Sequence, residues 1–228
     1  MSTREQFIST LSHALGRSAV RHAPEPLIYR HAVHTDVLKD RSLDELTDIF
    51  LDYSKTIGVD VWSTTKNQLN ATLHQALKTC SIGDIVIADD PLLHELKTAH
   101  ILNESGRIHV WEASGSWENN VIFAEKAAVG IAVAKMAMAE SATVLLFSNA
   151  GSGRSLTLLP ESTIYIIPKS VIVPRLTQAM AFVQAHKHQL PTSINFVSGP
   201  SATSDIELVR VVGVHGPVHV IHIVVTDI

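Results

Sequence analysis

The side chains able to do chemistry gather near the C-terminus, in the stretch GPSATSDIELVRVVGVHGP, Gly199 to Pro217. Hydroxyls, carboxylates, an arginine and His215 stand there between two Gly-Pro pairs. Ser204-Asp205-Ile206-Glu207 has the S-x-x-E spacing of a capping box, which also puts Asp205 in the favourable first turn of a helix,. Both acids are then structural. A capped turn set against a loop also leaves free N–H groups that bind anions. On that second reading Gly199, Pro200, Ser201, Thr203 and Asp205 form an anion-binding loop. His215, between Gly213 and Gly216, marks a close backbone approach by another segment or a ligand,. It is a candidate catalytic group, while Asp205 and Glu207 are expected to be mainly structural.

Further upstream, NAGSGRSLTLLP places Gly151 and Gly153 before Arg154. Glycines let backbone amides converge on an anion, and a guanidinium adds a bidentate charge. The plain alternative is a tight connection with a surface arginine. The spacing matches neither a dinucleotide fingerprint nor a Walker A loop. Because this loop and Gly199–Ser201 each follow a strand, they are expected to lie together and bind a carboxylate or phosphate. In AMAESATV, Glu140 stands at a strand-edge turn, where it serves as base or nucleophile or is an ordinary solvated acid,. Among the 13 histidines, His219 and His222 are three apart, and odd spacing on a strand sends side chains to opposite faces,. With no H-E-x-x-H and no Cys/His cluster, no metal site is expected. Cys80, the single cysteine, can form neither an internal disulfide nor an iron–sulfur site of about four thiolates, and it fits a reducing cytosol,.

These residues need elements to position them. With 46% hydrophobic and 18% charged residues, the chain has material for a sizeable core, and disorder is not expected,. A net charge of −4 leaves no basic face for nucleic acid, and apolar runs such as AAVGIAVA fall far short of the roughly 20 residues of a membrane span,. Phe7, Ile8, Leu11 and Leu15 predict a plain amphipathic helix rather than a transit peptide, followed by a Pro- and His-rich arm to residue 41,. From Ser42 onward the spacing predicts a single α/β domain, 42–228. Helices are expected in SLDELTDIFLDYSKTIG, STTKNQLNATLHQALKTC and DPLLHELKTAHILNESG, and strands in VDVW, GDIVIADD and RIHVWEA,. Short apolar strands alternating with helices predict an open, mostly parallel sheet covered on both faces. ENNVIFAEKAAVGIAVAKMAMAES reads as a helix to about Ala127, a strand near VGIAV and a bend at Lys135. Strands then follow in TVLLFSN, STIYIIP, SINFVSG, LVRVVGV and VHVIHIVV, interrupted by the helix VPRLTQAMAFVQAHKHQ.

Taken together, AMAESATV, GRSLTLLPESTIYIIP and GPSATSDIELVRVVGVHGPVHVIHIVV resemble the LUD domain, the lactate-utilization protein C family. Glu140 matches the glutamate of the family's Ala-Glu-Thr-Gly-Thr pattern, with Ser141 and Ala142 replacing Thr and Gly. The resemblance implies a fold like that of the sugar-phosphate isomerases and CoA transferases. It also implies membership of a cytoplasmic, NAD-independent three-protein system oxidising L-lactate to pyruvate, with iron–sulfur clusters on partner subunits; the single cysteine and the lack of a dinucleotide fingerprint lead us to expect no cofactor bound by this chain,. Two alternatives stay open: a free-standing enzyme on a phosphorylated or CoA-linked small molecule, using Glu140 with the Arg154 loop, or a non-catalytic scaffold or regulator.

Overall fold

Ser42 and Glu45 form a reciprocal capping box, so the chain turns into helix α3, Leu43–Thr56, which buries Leu46 and Phe50 on one side,. The computed structural model describes residues 3–18, 20, 27–102, 106–205 and 207–228. The chain divides into two compact units, Met1–Val33 and His34–Ile228. In the first, Thr3 and Gln6 cap helix α1, Arg4–Ala14, the helix expected from its apolar spacing. Val33–Asp36 forms a short α2.

The larger unit is built on strands β1 (Asp60–Thr64), β2 (Ile85–Ile87), β3 (Ile108–Val110), β4 (Val129–Val133), β7 (Ser162–Pro168) and β12 (His219–Val225). They form one six-stranded sheet in the order β1-β12-β7-β4-β2-β3. Every pairing in it is parallel. The connections carry helices α4 (Leu69–Leu77), α5 (Pro91–Glu95), α6 (Thr98–Leu102), α7 (Trp117–Lys126) and α8 (Ser155–Leu158). Near-continuous apolar strands such as Ile164–Ile167 are fully buried, as a sheet covered on both faces requires,.

A second sheet is an addition to the expected layout. Strands β5 (Met136–Met138), β6 (Thr143–Phe147), β8 (Ile172–Val173) and β9 (Ile194–Val197) pair in the order β8-β5-β6-β9, with α9 (Leu176–Ala185) following β8. Here β6 runs antiparallel to both β5 and β9. Lys135 is the hand-over point. The Ala134 amide still donates to Ile166 O of the first sheet (2.8 Å), and the Lys135 amide donates to Leu145 O of the second (2.8 Å).

Three sequence readings are corrected. DPLLHELKTAHILNESG is not one helix: Lys97 is left-handed (φ 51°), which ends α5 before α6 begins,. Residues 103–105 of that reading lie outside the described residues. LVRVVGV is not a full strand; only Val211–Val212 (β11) pairs, with Ala202–Thr203 (β10). The capping-box helix at 204–207 does not form either. Glu207 and Leu208 are left-handed (φ 54° and 58°), and Ile206 lies outside the described residues. Tertiary pairing wins there over local pattern: the Ser201 amide donates to Pro217 O (2.9 Å) and the Gly213 amide to Ser201 O (2.8 Å), closing a hairpin,.

The core also holds a titratable group. His222 is fully buried on β12, stacked on Phe50 with ring centroids 5.1 Å apart. The Ser54 hydroxyl donates to Phe50 O (2.8 Å) and lies 2.9 Å from His222 Nδ1. With its proton on Phe50 O, Ser54 Oγ accepts from Nδ1–H, which fixes the tautomer and leaves Nε2 without a partner among the described residues,. Burial lowers this imidazole's pKa from its usual value to about 3, so it is neutral at physiological pH,.

Candidate functional site

Strand order alone creates a crevice. From β2 the chain moves outward to β3, then returns to β4 on the other side of β2 and continues to β7 and β12. Chains leaving neighbouring strands β2 and β4 therefore diverge, and ligands of open α/β sheets gather at such a reversal, outside the carboxyl ends. A cavity of about 320 Å³ lies there. Asp89 and Asp90 reach it from the end of β2, Lys135 from the end of β4, and Asn149 and Ser152 from the loop after β6.

Each of these groups is held by its element. Asp90 caps α5, its carboxylate accepting from the Leu92 amide (2.9 Å). Asp89 pairs with His94 Nε2 one turn along α5. Lys135 Nζ sits 5.6 Å from the centre of the Phe182 ring. The NAGSG loop is a packing device more than an amide cradle. Asn149 Oδ1 accepts from the Gly151 amide (2.8 Å), and Asn149 and Ser152 exchange backbone hydrogen bonds (3.0 and 3.2 Å). A Cβ on Gly151 would fall 2.6 Å from Asp89 O, and one on Gly153 would fall 2.2 Å from Trp111 Cζ2. Close approach therefore demands glycine at both positions. Arg154 is exposed at the start of α8, outside the crevice lining.

The second predicted loop goes elsewhere. Antiparallel register aligns Phe147 with Ile194 and Val144 with Val197, so Asn149–Arg154 and Gly199–Ser201 leave β6 and β9 at opposite ends. A Cβ on Gly199 would fall 3.2 Å from Ile57 and 3.3 Å from Val59, just before β1. Pro200 and Ser201 continue into the β10–β11 hairpin, where the Thr203 hydroxyl donates to Asp205 (3.0 Å) and accepts from the Asp205 amide (3.3 Å). The hairpin closes over the amino ends of β7 and β12, with the Val218 amide donating to Glu161 O (2.9 Å). His215 lies there in an open cleft of about 710 Å³, with Lys126 and Glu161 in its walls. The structure thus brings the His215 turn beside Ser201, whose carbonyl and amide bond to the Gly213 amide and Pro217 O, and does not bring either to the Gly151 loop.

Glu140 is in neither cavity lining. It sits on the β5–β6 turn, where Arg175 Nε donates to its carboxylate (2.5 Å) and its own amide donates to Pro174 O (3.1 Å). The full length of β6 separates it from Arg154. Ala142, in the place of the pattern's glycine, is buried and left-handed (φ 46°, ψ 37°), a conformation that normally favours glycine,.

Asp89, Asp90, Lys135, Asn149 and Ser152 were not among the residues singled out from the sequence. One signal was present: GDIVIADD puts paired carboxylates at the carboxyl end of a buried parallel strand. Among the described residues no three His, Cys, Asp or Glu side chains converge as a metal site would require. No helix among them is long and apolar enough to cross a membrane.

A family model for the LUD domain matches residues 32–225. The chain belongs to the LUD domain family. Three relatives are similar to it over nearly their whole length. Lactate utilization protein C of Geobacillus sp. (strain WCH70) is 39% identical over 98% of this chain and 96% of that protein. The protein of the same name from Oceanobacillus iheyensis is 39% identical over 97% of each. Lactate utilization protein C 1 of Bacillus mycoides is 37% identical over 100% of this chain and 98% of its own. In three dimensions the LUD chain resembles the crystal structure of a DUF162 family protein from Deinococcus radiodurans. The TM-score is 0.59 at 20% identity, covering 82% of this chain and 99% of that one, a likeness of fold.

Proposed function

We propose that this chain works in lactate utilization, as a cytoplasmic subunit of an NAD-independent system that oxidises L-lactate to pyruvate. The observation that carries the reading is end-to-end similarity, at 35–39% identity, to proteins named lactate utilization protein C. Iron–sulfur clusters take about four thiolates, and this chain has Cys80 alone, so the clusters belong on partner subunits.

The crevice at the ends of β2 and β4 is the place in this chain that suits a small 2-hydroxy acid. Lys135 offers an ammonium for the carboxylate, and Asn149 and Ser152 offer hydrogen-bonding side chains,. Oxidation of the C–OH group requires a base for the hydroxyl proton and an acceptor for two electrons. Asp89, which lines the crevice and pairs with His94 Nε2, supplies the base, and the acceptor lies on the partners,.

The test is lactate-dependent reduction of an artificial electron acceptor by the purified chain, by its partner subunits, and by the two together. We expect turnover only in the mixture. Turnover by the chain alone makes it a free-standing enzyme, and full turnover by the partners without it overturns the proposal.

A further inference from the structure

Asp60 opens β1 and His219 opens β12, and their parallel register pairs Asp60 with Ile221. Residues of like parity on one strand share a face, so His219 points to the same face as Ile221 and Asp60, opposite to His222. Helix α4 returns along that face and delivers Cys80 to the amino ends of the strands. His219 Nε2 lies 2.8 Å from Asp60 Oδ2, and His219 Nδ1 lies 3.9 Å from Cys80 Sγ. With Asp60 accepting from Nε2–H, Nδ1 carries the lone pair, and it faces the thiol. The thiol also lies 3.7 Å from Ala76 O, so its proton is shared between two acceptors. On its other side Cys80 lines a cavity of about 330 Å³ with apolar walls from Leu77, Ile85 and Val129.

We propose that Cys80 is a nucleophilic thiol served by His219 as base, with Asp60 orienting the base, and that the adjoining cavity admits short acyl groups carrying an activated carbonyl. The order thiol, imidazole, orienting oxygen is that of thiol acyl-transfer enzymes. In the step, the S–H proton passes to His219 Nδ1 as sulfur bonds to the carbonyl carbon. The bond from that carbon to its leaving group then breaks, and the leaving group departs with the proton. The product is a thioester on Cys80. Partial burial pushes the Cys80 thiol above its usual range, so little thiolate exists at neutral pH. Reactivity above that of a free thiol therefore depends on the base.

The experiment incubates the purified full chain with p-nitrophenyl butyrate at neutral pH, reading p-nitrophenolate release and the butyryl adduct by intact mass and peptide mapping. We expect a single adduct on Cys80, formed at least about tenfold faster than on glutathione, and none on Cys80→Ser. His219→Gln slows it by about a hundredfold, the scale of general-base assistance. Asp60→Asn slows it by about tenfold and Asp60→Glu restores most of the rate, which a structural role for this exposed acid would not produce. A wild-type rate equal to or below that of glutathione overturns the proposal. So does an unchanged rate in Asp60→Asn, or in a folded His219→Gln.

Discussion

The crevice at the carboxyl ends of β2 and β4 and the cleft under the Gly199–Pro217 hairpin lie at opposite ends of the same parallel strands. They are built by different means. In the crevice no motif is needed: reversal of strand order opens the space, and short turns on buried strands fix Asp89, Asp90 and Lys135 around it. The cleft lies beside a stretch rich in chemical side chains and Gly-Pro brackets, yet most of those residues close a hairpin. Asp205 bonds to Thr203, and Ser201 bonds to Gly213 and Pro217, leaving His215 as the predicted site residue in the cleft wall. Density of polar residue types marked a structural device; topology opened the crevice.

Acid should act on both regions alike, because β12 carries a shared weak point. The folded pKa of His222, about 3, is below the value of about 6.5 expected in the unfolded chain,. As pH falls below about 6.5 the unfolded chain takes up a proton that the folded one excludes. Stability then drops by about 1.4 kcal/mol per pH unit until pH nears 3. Urea titrations at pH 7 and 4.5 should show this as about 2–3 kcal/mol, with one transition for the whole larger unit. His222→Leu should lose that part of the pH dependence. Equal slopes in the two proteins would remove His222 as the cause.

Gly153→Ala should separate the regions. The new Cβ meets Trp111 Cζ2, and overpacking of this kind costs about 1–3 kcal/mol. Thermal denaturation should register that loss, while the thiol reactivity of Cys80, at the other end of the sheet, stays unchanged. An unchanged melting temperature would mean the loop yields easily and does not brace the crevice.

Asp205→Asn should do least. With no helix to cap and an exposed side chain, its effect belongs within about 0.5 kcal/mol,. A loss of about 1–2 kcal/mol, as for a helix cap, would restore the capping role that the hairpin geometry denies.

Much of the scaffold was legible in the residues. The alternation of GDIVIADD and RIHVWEA with amphipathic helices announced a parallel sheet, and the odd spacing of His219 and His222 foretold their opposite faces. The bend at Lys135 was also readable. Strand order was not, because one sequence carries no record of which buried strands pair, and the crevice exists only through that order. The S-x-x-E pattern at 204–207 misled for a related reason. A capping preference of about 1 kcal/mol lost to the paired backbone of Ser201, Gly213 and Pro217, which comes from residues distant in sequence. Ala142 in a left-handed turn has the same character: its conformation is imposed by the β5–β6 pairing around it, against the preference of its side chain.

The most direct test of the crevice as the substrate site is a proton–nitrogen NMR titration of the purified chain with L-lactate, repeated on Lys135→Ala and His215→Gln. Saturable shifts are expected at Asp89, Asp90, Lys135 and Ser152. They should be retained in His215→Gln and weakened about tenfold or more in Lys135→Ala, the worth of one charge-assisted hydrogen bond. Shifts centred on Gly213–Gly216 and abolished by His215→Gln would contradict this assignment and move the site to the amino end.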